Sequence, residues 1–314
     1  MSIKNGRKKK MSKGKKIIIW TTSILTFVLL GVGVYAYKVF SDVKETTAKI
    51  YKKVEKEEVR EEPVDVDKGH AFSILLLGID TGDMGRTEQG RSDSLMVLTV
   101  NPDTNTTKIL SIPRDTYTEI VGHGTTDKIN HAYAFGGASM TINTIQKLLD
   151  IPIDYYVQVD LKGIKEIVDA VGGVDVKNDL DFTYENAHFE VGTQHLTGEL
   201  ASKYARMRYD DPKGDYGRQG RQRQIIEAVV KKAATFSTIT NYQGILNSLE
   251  NNLKTNLTFD DMVDIQGKYK GAVKNIEQVQ MQGTGQMIDG ISYQIVSPEE
   301  LTKITKQLKE QLEQ

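Results

Sequence analysis

The sequence predicts an α/β or α+β domain built around a central sheet, and three observations carry that expectation. Apolar runs that read as strands interleave along the chain with segments of helical spacing, as in a sheet covered by helices. The first such run, "FSILLLGID", is apolar throughout, as a strand buried on both faces requires. At 314 residues of ordinary composition, the chain is long enough to bury a real core.

Residues 1–16 hold eight Lys and Arg and no acidic residue. They precede "IIIWTTSILTFVLLGVGVYAY", Ile17 to Tyr37, an uncharged run about long enough to span a bilayer core of roughly 30 Å. The expectation is an uncleaved transmembrane helix over 17–37. A cleaved signal peptide has a shorter apolar core of about 7–15 residues, and no small-x-small site directly follows this run. A buried core helix would not follow a polybasic tail. With the cations concentrated before the span, the positive-inside bias puts the tail in the cytoplasm and everything after Lys38 outside, a single-pass type II arrangement in the cell membrane. Residues 38–70 are highly charged, poor in large apolar side chains and broken by Pro63, and read as a partly helical stalk. Residues 71–314 form the extracellular domain.

The first 40 residues contain nine cations, leaving 32 basic against 42 acidic residues in the remainder, a balance of −10. An acidic body argues against nucleic acid as a partner, since binding it needs a net basic footprint. The chain has no cysteine, which excludes thiolate metal sites and cysteine nucleophiles and fits an exported protein without disulfides. Its five histidines show no metal-ligand spacing.

Within the domain, "FSILLLGID" gives a strand ending at Asp80, followed by the Gly-rich loop "TGDMGRTEQGRSD" and a second strand, "SLMVLTV". The turn "NPDTN" leads to "TTKILSI", a third strand closed by "PRD". As an antiparallel meander, these strands bring Asp80, Asp93 and Arg114 to one edge of the sheet, with Arg86 and Arg91 in the loop between. Next come a helix in "ASMTINTIQKLLD" after Gly136 and Gly137, a strand in "IDYYVQVDL", and helix, Gly stop and strand in "KGIKEIVDAVGGVDV". "TGELASKYAR" is a short helix, and "SPEELTKITKQLKEQL" is a last one, with Ser297 as N-cap and Pro298 at its first position.

Between these last two helices lies "ARMRYDDPKGDYGRQGRQRQ", five arginines interspersed with Asp210, Asp211 and Asp215. Read as a helix from Gly217 to Ala233 at 100° per residue, the segment places Ile225, Ile226, Val229 and Ala233 on one stripe. Arg218 and Gln222 continue that stripe toward the N-terminus, while Arg221 and Arg223 flank it. Arg206 and Arg208 share a face if their stretch is extended. Two readings follow: a semi-buried anion pocket at the positive end of a helix, or internal salt bridges to the three aspartates. Several buried guanidiniums need either a polyanionic ligand or acidic partners. Two carboxylates beside such a pocket, Asp80 and Asp93, would suit a hard divalent cation together with phosphate oxygens. Taken singly, each could as well cap a turn.

The ordered stretches "LLLGID", "RSDSLMVLTVNP", "ILSIPRDT", "KINHAYAFGG", "VQVDLKGIKEIVDAVGGVDV", "HLTGELASKYARMR" and "GDYGRQGRQRQ" resemble the LytR-CpsA-Psr family of membrane-anchored cell-envelope proteins, between about Phe72 and Gln224. The overall layout looks like that of the family's wall teichoic acid ligases. The resemblance implies a single αβα domain with a mixed central sheet flanked by helices and a long apolar pocket for a polyprenyl chain. It implies a phosphotransferase that moves an anionic glycopolymer from undecaprenyl pyrophosphate to a peptidoglycan sugar hydroxyl. Its partners would then be the lipid-linked glycopolymer, peptidoglycan and the membrane. Asp80 and Asp93 match the family's carboxylates for Mg²⁺, with Mn²⁺ the alternative. Arg91, Arg114, Arg206, Arg208, Arg218 and Gln222 match its pyrophosphate contacts, with Asp215 beside them. Asp80, Asp93 and Arg114 would form the catalytic group. No motif matches beyond Gln224. A lipid-pyrophosphate hydrolase using the same site and a non-catalytic envelope regulator stand as alternative functions.

Overall fold

A computed structural model of the protein describes residues 13–80, 90–235 and 242–313, the side chains of 13–29, 161 and 233–235 excepted. The chain divides into two compact units, residues 1–45 and 46–314. The cationic tail to residue 12, Arg86 and the side chains over most of the expected span at 17–37 lie outside the described residues. Among the described residues, no helix is long and apolar enough to cross a membrane.

Helix α1 is Lys13–Ile50. Strands β1 (Phe72–Ile79), β2 (Ser92–Asn101) and β3 (Thr106–Ile112) form the expected meander, and β4 (Tyr117–Ile120) and β5 (Thr125–Lys128) a hairpin. Then come α2 (His131–Leu149), β6 (Tyr155–Asp160), α3 (Leu161–Ala170), β7 (Val174–Asn178), β8 (Phe182–Tyr184), β9 (Ala187–Phe189), β10 (Gly192–Leu196) and α4 (Gly198–Arg206). The C-terminal part holds α5 (Asp215–Thr235), α6 (Tyr242–Asn252), β11 (Leu253–Thr255), α7 (Phe259–Lys268), β12 (Ile276–Gln280), β13 (Thr284–Ile288), β14 (Ile291–Ile295) and α8 (Pro298–Leu312).

Six strands make the main sheet in the order β11-β6-β1-β2-β3-β12. It is mixed: β6 joins β1, and β12 joins β3, in parallel, while the other pairs are antiparallel. Alternation decides what each face meets. Leu75, Leu77 and Ile79 of β1, with Leu95 and Val97 of β2, pack on Ile142, Ile145 and Leu149 of α2 and on Ile304 and Leu308 of α8. The opposite face presents Met96, Leu98 and Ile109, with Ile74 and Leu76, to Ile226 of α5. The unit is therefore an α/β, three-layer fold, helices on both faces of a mixed sheet. A second cluster knits α3, α4, α5 and β7 to the β8–β9 hairpin through Val168, Val176, Phe182, Phe189, Tyr204 and Ile225.

Three expectations need correction. Asp93 lies inside β2 rather than before it. The helix expected after Gly137 begins at His131, because the chain is already helical before a kink at Gly136 and Gly137, whose backbone angles are non-helical. The stretch expected as stalk joins the folded unit from Thr46 onward: Thr46, Thr47, Ile50 and Val66 are buried there. Arg60 also pairs with the buried Asp154 at 2.7 Å. The charged composition of 46–70 concealed a segment that buries only every few residues.

Candidate active site

Strand β1 ends in Gly78-Ile79-Asp80, where a register irregularity against β2 brings Ile79 opposite Ser92. Asp80 then donates its N–H to the Arg91 carbonyl at 3.0 Å. Asp80 and Asp93 thus come to the same sheet edge, and both line one cavity of about 360 Å³ between that edge, α5 and the turn of the β8–β9 hairpin. Space for it comes from small residues: a Cβ at Gly78 would lie 2.8 Å from the Ser94 Cβ, and both positions border the cavity.

The cavity has two characters. Ile79, Met96, Ile164, Ala205, Ile225 and Ile226 give it apolar walls, while Asp80, Asp93, Glu185, Arg206, Arg218 and Gln222 supply polar ones. Helix α5 delivers two of the latter. Arg218 and Gln222 are one turn apart, on the stripe that continues into Ile225 and Ile226, as the helical spacing predicts. Arg218 is 11% exposed and pairs with Asp215 at 2.7 Å. Burial pulls its guanidinium below the ordinary arginine range, more than Asp215 restores, and the neighbouring Arg114 lowers it further. Its Nε and the Gln222 Oε1 are buried and make no hydrogen bond among the described residues. A partly uncompensated guanidinium with an unsatisfied donor, facing a cavity, is the electrostatic form of an anion site.

Arg114, two residues beyond β3, pairs with Asp93 at 2.9 Å. Burial lowers its pKa, but Asp93 and the more distant Asp115 and Asp215 outweigh that and hold it above the ordinary value. Asn130 Nδ2 lies 3.5 Å from Asp93 Oδ1, and its own Oδ1 is buried without a partner among the described residues. Asp215, the first residue of α5, also accepts from Gln219 at 2.8 Å and lies 3.7 Å from Arg208. A carboxylate at that helix end is favoured by the dipole. Arg206 ends α4 and reaches Glu185 at 2.7 Å. Met207, fully buried, separates Arg206 from Arg208.

The structure therefore gathers Asp80, Asp93, Arg206, Arg218 and Gln222 around one cavity. Arg114 attaches through Asp93, Asp215 through Arg218, and Arg208 through Asp215. Arg91 meets Asp80 only through its backbone, with an exposed side chain. Arg221 and Arg223, which flank the stripe by helical spacing, are both buried. Arg221 realises the internal salt-bridge reading, pairing with Asp211 at 2.5 Å and donating to the carbonyls of Tyr204 and Met207.

Asn130, Glu185 and Gln219 were missed in the sequence. Asn130 sits inside "KINHAYAFGG", but an amide there reads as turn chemistry. Glu185 and Asn186, with φ of 47° and 62°, are the two turn residues of the β8–β9 hairpin, the left-handed pair of a type I′ turn. That signature marks a hairpin and says nothing of a site.

The donor set is all oxygen: two carboxylates, with unsatisfied amide oxygens of Asn130 and Gln222 nearby. That chemistry fits a hard divalent cation that keeps several positions for phosphate or water. Among the described residues no three carboxylate or imidazole side chains gather closely enough to hold a metal unaided, so such a cation would need oxygens from a ligand.

Comparison with known proteins gives this constellation its context. A protein from Bacillus cereus named polyisoprenyl-teichoic acid–peptidoglycan teichoic acid transferase TagU is 49% identical over 302 residues, 95% of this chain and 98% of that one. The crystal structure of TagU from Bacillus subtilis is 45% identical and superposes with a TM-score of 0.64, covering 78% of this chain and 98% of that chain. TagT bound to LIIa-WTA is 32% identical with a TM-score of 0.71, covering 83% of this chain and 97% of that chain. The LytR_cpsA_psr family model matches residues 37–310, the sheet, both helical layers and every residue of the cavity included, and the chain belongs to that family.

Proposed function

We propose that the protein is a phosphotransferase that moves an anionic glycopolymer, wall teichoic acid or a close relative, from a polyisoprenyl pyrophosphate carrier to a peptidoglycan sugar hydroxyl. The observation that carries this reading is the cavity itself: apolar walls of Ile79, Met96, Ile164, Ile225 and Ile226 continue directly into a cluster of guanidiniums and carboxylates. A lipid pyrophosphate has that same join between hydrocarbon and charge. The name of the 49% identical relative supports the same activity.

In the reaction the acceptor hydroxyl oxygen bonds to the glycopolymer phosphorus and gives up its proton to solvent or to the departing phosphate, and the bond from that phosphorus to the bridging oxygen breaks. The lipid phosphate departs with the electron pair and with more charge than it carried in the diester. Arg218, held by Asp215, and Arg114, held by Asp93, are fixed before substrate arrives. Fixed donors aimed at oxygens that gain charge stabilise the transition state more than the ground state. Arg218 and Gln222 border the cavity, where the guanidinium and the side-chain amide N–H would meet the diphosphate oxygens. Asp80 and Asp93 would hold Mg²⁺, or Mn²⁺, which when bound neutralises charge on the diphosphate oxygens. The apolar walls exclude water from the lipid side of the phosphate.

The protein is also proposed to sit in the cell membrane through residues 17–37, with its catalytic unit outside. Purified protein given lipid-linked donor with and without soluble peptidoglycan oligomers tests the reaction. Mass spectrometry is expected to find glycopolymer joined to oligomer by a phosphodiester. Release of lipid phosphate at an equal rate into water, with no joined product, would make the protein a hydrolase instead.

A further inference from the structure

Helix α5 has a second working face. Asp215, Gln219, Arg223 and Glu227 recur every four residues, about 100° around the helix from the stripe of Arg218 and Gln222. This face looks toward β12, the edge strand of the sheet. Arg223 donates to Gln278 at 3.2 Å and to Gln280 at 2.6 Å, and Gln278 donates to Glu227 at 2.6 Å. Beside this ladder lies a polar cleft of about 430 Å³, bordered by Tyr216, Arg223, Gln278, Gln280 and Gln282. Its size falls within the roughly 300–1,000 Å³ of ligand clefts.

Arg223 is 8% exposed, yet no carboxylate pairs with it among the described residues. Both of its protein partners are neutral amides. Burial alone lowers its pKa, to about 10. Its Nη2 bonds no group among the described residues, and Arg223 borders the cleft. The other buried cation here, Arg221, is neutralised by Asp211. Asp179 and Lys213, 4.0 Å apart and exposed, and Asp211, held by Arg221, also border the cleft, so among the described residues its one uncompensated charge is the Arg223 guanidinium, set among the amides of Gln278, Gln280 and Gln282. That suits a single carboxylate borne by a ligand rich in hydroxyls and amides, and it does not suit hydrocarbon or a dianion.

The cleft also connects to the phosphate site. Arg223 donates to Gln280, Gln280 to Gln219 at 2.8 Å, and Gln219 to Asp215 at 2.8 Å, and Asp215 holds Arg218 at 2.7 Å. We infer that this cleft is the docking site for the acceptor: an amino-sugar strand whose attached peptide carries a carboxylate, gripped by Arg223 and read by Gln282. This rests on the transfer reading above. An acceptor seated at one end of the relay would lie beside the helix terminus that holds the donor phosphates.

Calorimetric titration of the full chain in detergent, without donor, tests it. The probe is a soluble, uncrosslinked disaccharide-tetrapeptide oligomer, with poly(glycerol phosphate) as the competing source of anion. The wild type should bind the oligomer, and Arg223→Gln should weaken that binding at least tenfold. Gln282→Ala, an exposed change that leaves the melting temperature unaltered, should weaken it severalfold. Lys162→Gln, an exposed change on α3 that borders neither cleft, should leave it within twofold. Oligomer affinity unchanged in folded Arg223→Gln or in Gln282→Ala would overturn the assignment. So would wild-type binding of poly(glycerol phosphate) in place of the oligomer, which would put donor polymer in the cleft. Because the titration contains no donor, its outcome is independent of the turnover assay that decides between transfer and hydrolysis.

Discussion

Arg218 and Arg221 lie three residues apart on α5, and their partners separate chemistry from architecture. Arg221 is 5% exposed, and its donors go to Asp211 and to two main-chain carbonyls. Arg221→Met strands the Asp211 carboxylate, so we expect a loss of about 3–5 kcal/mol in stability, measured by denaturant titration. Arg218 borders the cavity instead, paired with Asp215. Arg218→Lys and Arg114→Lys keep charge and lose the planar fork. A charge-assisted hydrogen bond is worth roughly 1.5–3 kcal/mol, so each should slow donor turnover by about one to two orders of magnitude with the fold intact. Turnover at the wild-type rate in both variants would reduce these residues to ion-pair partners. For the carboxylates, Asp80→Asn and excess chelator should each abolish transfer, and added Mg²⁺ should restore only the chelated wild type. Full activity in chelator would remove the metal from the reaction.

At the scale of elements, the N-terminal half of α5 can serve two clefts only because it lies close to the chain preceding it. Gly217 is the point of approach: a Cβ there would fall 1.8 Å from Asp211 Oδ2, an atom already fixed by Arg221. Gly217→Ala should therefore displace Asp211 and cost about 1–3 kcal/mol, the usual range for an overpacked site. An unchanged melting temperature would show that the carboxylate has room to move. The same helix shows what could be read beforehand. A period of 3.6 placed Arg218 and Gln222 with Ile225 and Ile226, because that stripe ends in apolar residues. It could not place Arg223, since what covers that side is β12, "IEQVQ", whose polar alternation is that of a sheet edge and gives no core signal. The meander of β1 to β3 was legible, as were the cap at Ser297 and the stop at Gly172 and Gly173, whose φ values are 79° and 80°. Strand β11, three residues long, and the β8–β9 hairpin were too short to show a period. Long-range pairing, which a linear reading does not contain, creates the cavity: Asp80, Glu185 and Arg206 meet only once the hairpin folds over the sheet edge.

For the whole molecule, the distribution of charge and apolar length makes a prediction about placement. Eight cations precede Ile17, none falls within 17–37, and the remainder of the chain is net acidic. By the positive-inside bias we expect the tail in the cytoplasm and residues 46–314, a compact unit, on the outer side. That placement suits the proposed chemistry, because a donor whose lipid lies in the bilayer is met at a high effective concentration by an enzyme fixed to the same surface. Protease added to intact, wall-stripped cells should digest the catalytic unit and leave a short fragment bearing an N-terminal tag. A protected catalytic unit would reverse the topology. Removing residues 1–45 separates anchoring from catalysis. The shortened protein should turn over detergent-solubilised donor within a few-fold of the full chain, since the cavity and its arginines all lie beyond residue 77. On donor embedded in vesicles it should be slower by one or more orders of magnitude, because the second encounter is no longer confined to the membrane. Equal rates on vesicles would mean that residues 1–45 contribute nothing to substrate capture, and the anchor would have to be explained by location alone.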